Sequence, residues 1–266
     1  MMRRTLIFLM LLCTSSFVIG QKDTVNQVDS QGLRTGYWIG LYPDGIKRYE
    51  GRFHQGNIVG EMTRYYENGS VKAILRRNND ESRVSAQLYD TAGFVRAAGY
   101  YQDQKKNGEW RFFGTRENVV FTTTYENDML NGISCRYYIN GIIQEKTNWE
   151  NSRLEGLQIL FNQNGIKQGE INYFAGRMDG SYKVFYSNGE IEIKGQFSNN
   201  LRVGKWSYFR TDGSLNYQLS YRNGVLLNPE VLTKEQEENF KRYDNNRTQL
   251  KDPRHYLQDP VSYFRK

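Results

Sequence analysis

The sequence predicts an all-β protein, an extended single sheet of antiparallel hairpins, and three observations predict it. Glycine recurs on a 24-residue grid, at Gly36, Gly60, Gly108, Gly132, Gly156, Gly180 and Gly204, with Val84 as the one exception. A second glycine stands nine residues into each copy, at Gly45, Gly69, Gly93, Gly141, Gly165, Gly189 and Gly213, where the fourth copy has Glu117. Between them, apolar residues alternate with polar ones, as Ile191, Ile193, Gly195 and Phe197 do with Glu190, Glu192, Lys194 and Gln196. Two combs on one period define a repeat array. Alternation with period two defines strands that bury one face.

Taken in order, residues 1–20 read as a secretory signal peptide. Arg3 and Arg4 precede an apolar run from Leu6 to Leu12, and Ser15, Ser16 and Gly20 lead to a cut before Gln21. The run is far shorter than the roughly 20 residues of a membrane span. The mature chain is therefore expected outside the cytoplasm: periplasmic, associated with the outer envelope, or secreted. Cys135 is then its only cysteine, which excludes an internal disulfide. Its place inside a predicted strand reads as a packed thiol. Residues 21–34 are polar and aperiodic and read as a flexible lead-in.

Residues 35–227 carry eight copies, each a strand, a tight turn, a strand and a looser turn. Positions are counted from the grid residue as zero. Position five is Leu41, Tyr65, Tyr89, Phe113, Tyr137, Phe161, Phe185 and Phe209. Position eleven is apolar in six copies, as Val71, Val95, Val119, Ile143, Ile191 and Leu215. Asp or Asn precedes the turn glycine in Asp44-Gly45, Asn68-Gly69, Asn188-Gly189 and Asp212-Gly213, a strong hairpin signal. A two-residue loop would set position five against the polar position twelve. A type I turn followed by a left-handed glycine sets it against position eleven, and Pro43 suits the first turn position of that loop. The second register pairs rings with β-branched residues and is preferred. The third copy is the weakest, because Val84 replaces its glycine and Arg76 to Arg83 is charged; a bend or bulge is expected there.

Residues 228–266 leave the pattern. Asn228-Pro229 breaks the last strand, and Thr233 with Gln236 makes a capping box before a polar, helix-prone stretch from Lys234 to Leu250. A short C-terminal helix is expected, followed by an irregular tail. Two roles are open for this segment, a cap on the last strand edge or a partner-binding tail.

Several function classes are excluded by what is missing. Net charge is +7, but no run of five basic residues occurs, so no nucleic-acid partner is expected. The two histidines, His54 and His255, are isolated, and no pair has metal-ligand spacing, so no metal is expected. The glycines do not open a helix and are not phosphate loops. No catalytic residues, no cofactor and no enzyme activity are expected.

The repeats resemble the MORN repeat, in the variant form of the bacterial YwqK-type antitoxin family. Gly108-Glu109-Trp110-Arg111-Phe112-Phe113 and Gly204-Lys205-Trp206-Ser207-Tyr208-Phe209 carry the first half of its motif; Gly51-Arg52-Phe53-His54-Gln55-Gly56 and Tyr221-Arg222-Asn223-Gly224 carry the second. The resemblance covers residues 36–224. It implies an extended chain of β-hairpins that associates with membranes or proteins, and the antitoxin label implies a toxin as partner.

One feature points to a binding surface. Position two is Trp38, Trp110, Tyr182 and Trp206, joined at position six by Tyr42, Tyr66, Tyr138 and Tyr186. These lie on the face opposite the position-five ladder. An open aromatic row would take a peptide, a glycan or a lipid interface. A sheet coiled so that both faces are packed would bury it instead. The first functional expectation is an envelope scaffold whose partner is another protein. The alternative is a module for cell-envelope glycan or an anionic membrane surface.

Overall fold

The computed structural model describes residues 24–77, 82–115 and 117–232, with Glu237 and Lys241 beyond them. The expected signal peptide and the tail from residue 251 lie outside the described residues. The described chain is one open antiparallel sheet of nineteen strands. Three of these are two-residue bridges, Gln27–Val28, Arg153–Leu154 and Val225–Leu226. The rest are two strands per repeat, and each pairs with its neighbours in sequence. Among the described residues no helix interrupts the array; the short helical element at its end is a single 3-10 turn, Pro229–Val231. Most of the stretch expected to form the longer helix lies outside the described residues.

The turn chemistry produces the preferred register. Position five pairs with position eleven in every copy, from Leu41 against Lys47 to Phe209 against Leu215. In the first loop the Gly45 N–H donates to Tyr42 O at 2.9 Å, and the Tyr42 N–H donates to Ile46 O at 2.8 Å. Gly45 has φ 87°, the left-handed conformation that glycine adopts without strain. The same two bonds recur around Glu117, whose φ is 56°.

The second turn is not looser. It is a two-residue turn with both central residues at positive φ, as in Gln55-Gly56, Asn127-Asp128 and Asn199-Asn200. That geometry matches the twist of the flanking strands. Its second residue bonds back across a whole repeat. The Asp128 N–H donates to Lys106 O at 3.0 Å, and its carboxylate accepts the Lys106 N–H at 2.7 Å. Asn200 does the same with Met178.

Each grid glycine has φ between 66° and 104°, and those after Gly36 mark a break in register with the preceding repeat. Bulges of this kind bend and twist a strand. The third copy supplies the contrast. Where Val84 stands, Ala73 to Arg76 pair with Leu88 to Ser85 without a shift. The expected irregularity is thus reversed at these residues: without glycine there is no bulge. Residues 78–81 lie outside the described residues.

Both ends of the sheet are covered. The lead-in expected to be flexible supplies Gln27–Val28, which pair with Thr35 and Arg34. The Asn26 side chain accepts the Ile39 N–H at 2.8 Å. At the other end, the Asn228 amide imitates a further strand. Its oxygen accepts the Ser220 N–H at 2.7 Å, and its nitrogen donates to Gln218 O at 3.0 Å. Val231 and Leu232 pack behind it. Residues 225–232 therefore act as the edge cap.

Candidate functional site

Every aromatic residue of the expected binding row has a partner, and the row is not an open platform. Trp110 and Trp206 are 0% and 1% exposed and centre the two larger core clusters. Trp206 is ringed by Phe197 at 5.0 Å, Tyr182 at 5.3 Å and Tyr221 at 6.1 Å. Trp38 packs on the smaller cluster of Tyr49, Phe53 and Met62. The position-six tyrosines are ties between repeats. Tyr42, Tyr66, Tyr138 and Tyr186 each donate a hydroxyl proton to the position-five carbonyl of the next copy, at 2.7–2.9 Å.

The two faces have exchanged roles. Positions two, thirteen, fifteen and seventeen form the core, and the position-five ladder lies on the other face, half exposed. The reason is the bulge residue at position twelve. It lets positions eleven and thirteen, both odd, point to opposite faces. Lys47, at position eleven, accordingly reaches Glu50 and the Tyr65 ring on the outer face, while Tyr49 is buried.

The signal that locates Trp110 and Trp206 is a glycine at position fifteen of the preceding copy. A Cβ on Gly99 would stand 2.4 Å from the Trp110 ring, and one on Gly195 would stand 2.3 Å from Trp206. Each glycine opens the floor on which an indole of the next repeat lies. The indole N–H then donates to the following carbonyl, Trp110 to Tyr100 O at 3.1 Å and Trp206 to Gln196 O at 3.2 Å.

The outer face carries what the core face does not. Tyr65, Tyr89, Phe113, Tyr137, Phe161, Phe185 and Phe209 form a row of seven half-exposed rings, one per repeat. Val71, Val95, Val119, Ile143 and Ile191 stand across from five of them. Ion pairs flank the row, with Lys167 and Lys183 on Glu170 at 2.6 and 3.0 Å and Arg76 on Glu61 at 2.9 Å. Glu50 accepts the Tyr37 hydroxyl at 2.6 Å, the Tyr65 hydroxyl, and Lys47 Nζ at 2.9 Å. The Tyr37 bond, then those from Tyr65 and Lys47, pull its carboxyl down to about 2. Half-burial pushes the Cys135 thiol up, as expected of a packed and unreactive group. Among the described residues, no group of three or more His, Cys, Asp or Glu could hold a metal ion.

The core face departs from its own pattern in the second and third copies. Around Ala73, Leu88, Ala97 and Phe112 there is a cavity of about 490 Å³, walled by Arg64, Lys72, Arg96 and Asp90.

Comparison with known proteins bears on the repeats alone. Residues 58–79 and 178–199 match the family described as the MORN repeat variant. Each match begins two residues before a grid glycine, Gly60 and Gly180. These two segments are thus similar to the MORN repeat variant. No curated protein matches it. Among solved structures it is similar to the crystal structure of TarM, with 13% identity over 53% of this chain and 20% of that one, at a TM-score of 0.23. It is also similar to the Tc holotoxin pore of Photorhabdus luminescens, with 11% identity over 72% of this chain and 12% of that one, at a TM-score of 0.19. The chain spans about a fifth of TarM's length.

Proposed function

We propose that this repeat chain is an exported, non-catalytic scaffold that binds another protein along its outer face. The observation that carries the reading is the row of seven half-exposed rings from Tyr65 to Phe209, interleaved with β-branched residues. A contiguous apolar strip on a folded surface, rimmed by charges, has the composition of an interaction face. The strip is also pre-formed. Tyrosine ties and turn bonds hold each repeat on the next, so little order is lost on binding. The signal-like pattern of Arg3, Arg4 and Leu6 to Leu12 supports export to the cell envelope. An antitoxin-type role is the particular case in which the bound protein is a toxin. Burial of Trp110 and Trp206 weighs against the glycan platform, which needed those rings open.

The test is capture from envelope extracts with the mature chain as bait. Phe161→Glu with Phe185→Glu should abolish capture while leaving the circular dichroism signal in place. Gln31→Glu, an exposed change in the lead-in and away from the row, should leave capture intact. Undiminished capture by a folded double variant would refute the outer-face assignment. Recovery of uncleaved chain in the cytoplasm alone would refute export.

A further inference from the structure

We infer that the hollow on the core face between Tyr66 and Phe112 is a binding site for a small organic anion with an apolar body, such as an aryl carboxylate. The array itself supplies the comparison that singles it out. Position thirteen is Tyr49, Phe121, Glu145, Ile193 or Tyr217 in five copies, and these side chains fill the core face. The sixth copy has Gly169, but Leu160 packs over it, with Cδ1 3.5 Å from where a Cβ would stand. In the second and third copies the position is Ala73 and Ala97, adjacent repeats that lack the filling group together. The cavity of about 490 Å³ lies over these two alanines. It is within the range of small-molecule sites, which are mostly apolar with a few placed polar groups.

The wall is basic where the floor is empty. Position twelve is Arg48, Lys72 and Arg96 in the first three copies and has no cation in the other five. Arg96 is spoken for: it pairs with Asp90 at 2.7 Å and donates to Gly114 O at 2.6 Å. Lys72 has no carboxylate partner among the described residues and lies 5.2 Å from the Tyr66 ring. Arg64, at position four of the same wall, is exposed and meets no carboxylate among the described residues. Lys72 and Arg64 therefore face a hollow lined by Leu88 and Phe112, whose one acidic lining residue, Asp90, is neutralised by Arg96. A carboxylate would engage the guanidinium and ammonium by charge-assisted bonds, and a ring system would take the place of the missing side chains.

The test uses the mature full chain and 1-naphthaleneacetate, its neutral isostere 1-naphthaleneacetamide, and acetate, followed by calorimetry. Saturable binding of naphthaleneacetate is expected, with the amide and acetate each weaker by about tenfold or more, the scale of a lost charged hydrogen bond. Arg64→Gln with Lys72→Gln should weaken the acid about tenfold and leave the amide unchanged. Ala97→Phe and, separately, Ala73→Tyr place in the hollow residues that the array carries elsewhere at this position. Either, once shown to be folded by circular dichroism, should abolish binding. Equal affinity for acid and amide, full binding by a folded filled variant, or no saturable binding by the wild type would each overturn the proposal. If neither filled variant folds, the Gln pair decides it.

Discussion

Lys106 Nζ lies 5.0 Å from the centre of the Trp110 ring, although the two residues are four apart in one strand. An extended strand would separate them by about 13 Å. Gly108, between them at φ 73°, folds the cation back over the indole. The arrangement recurs wherever position two is tryptophan. Arg34 lies 4.8 Å from Trp38 across Gly36, and Arg202 lies 4.6 Å from Trp206 across Gly204. In the other copies that carry a grid glycine, the residue two before it is apolar: Ile58, Leu130, Leu154 and Met178. The grid glycine thus serves two ends, a bulge and a cation lid.

Truncating the ring should cost far more than removing the lid. Trp110→Ala should lower the unfolding free energy by about 3–5 kcal/mol. Lys106→Met, which installs the residue type of Met178, should cost about 0.5–2 kcal/mol, the range of a cation over a ring. Urea melts of the two variants and of the double variant measure both values and their coupling. Equal losses would show that the cation, and not the packed ring, holds this part of the core.

The floor glycines should resist even a methyl group. Gly195→Ala directs a Cβ at the Trp206 ring, and displacement of a packed indole should cost about 1–3 kcal/mol. Gly176→Ala is a useful counterpart, since nothing lies within 4 Å there and only its φ of 83° is strained. Near-ultraviolet circular dichroism should report the shifted tryptophan in the first variant alone.

Turn glycines should matter for backbone reasons only. Gly189 has φ 89° with open space around it. Gly189→Val should cost at least about 1 kcal/mol more than Ser187→Val, two residues earlier in the same loop, because β-branched residues resist that conformation. Thermal unfolding midpoints compare the two directly.

Acid should loosen the first two repeats through Glu50. Its carboxyl falls from 4.5 to about 2 on folding, chiefly by the Tyr37 hydrogen bond. A depressed folded value means that its contribution is complete above pH 4.5 and is lost as pH falls from there through about 2. Glu50→Gln should flatten the stability profile across that window. Tyr37→Phe should raise the Glu50 carboxyl midpoint, read by carbon NMR. A midpoint unchanged by Tyr37→Phe would discount this hydroxyl as the main cause.

Much of the architecture was legible because it is written in glycine. Gly45 and its equivalents disclosed the loop, and pairing of Tyr65 with Val71 follows from it. Facing was not legible, since the bulge residue at position twelve has no fixed chemistry; Arg48, Val120 and Glu192 all occupy it. Without it, alternation assigns positions eleven and thirteen to one face. Burial of Trp110 and Trp206 had a visible sign in Gly99 and Gly195, each eleven residues upstream, but a glycine inside a strand reads first as a weak point. The hollow over Ala73 and Ala97 was hidden for a different reason. It consists of side chains that are too small, and small residues leave the apolar pattern intact.

Pairing only with sequence neighbours has a kinetic meaning. All-β proteins ordinarily fold slowly because distant strands must meet before any contact rewards them. Here no strand waits for a remote partner; each new hairpin finds its docking edge already made by the one before it. Assembly can run as a zipper from the Gln27–Val28 end while the rest of the chain is still being threaded out, and each hairpin's exposed edge lasts only until the next one docks.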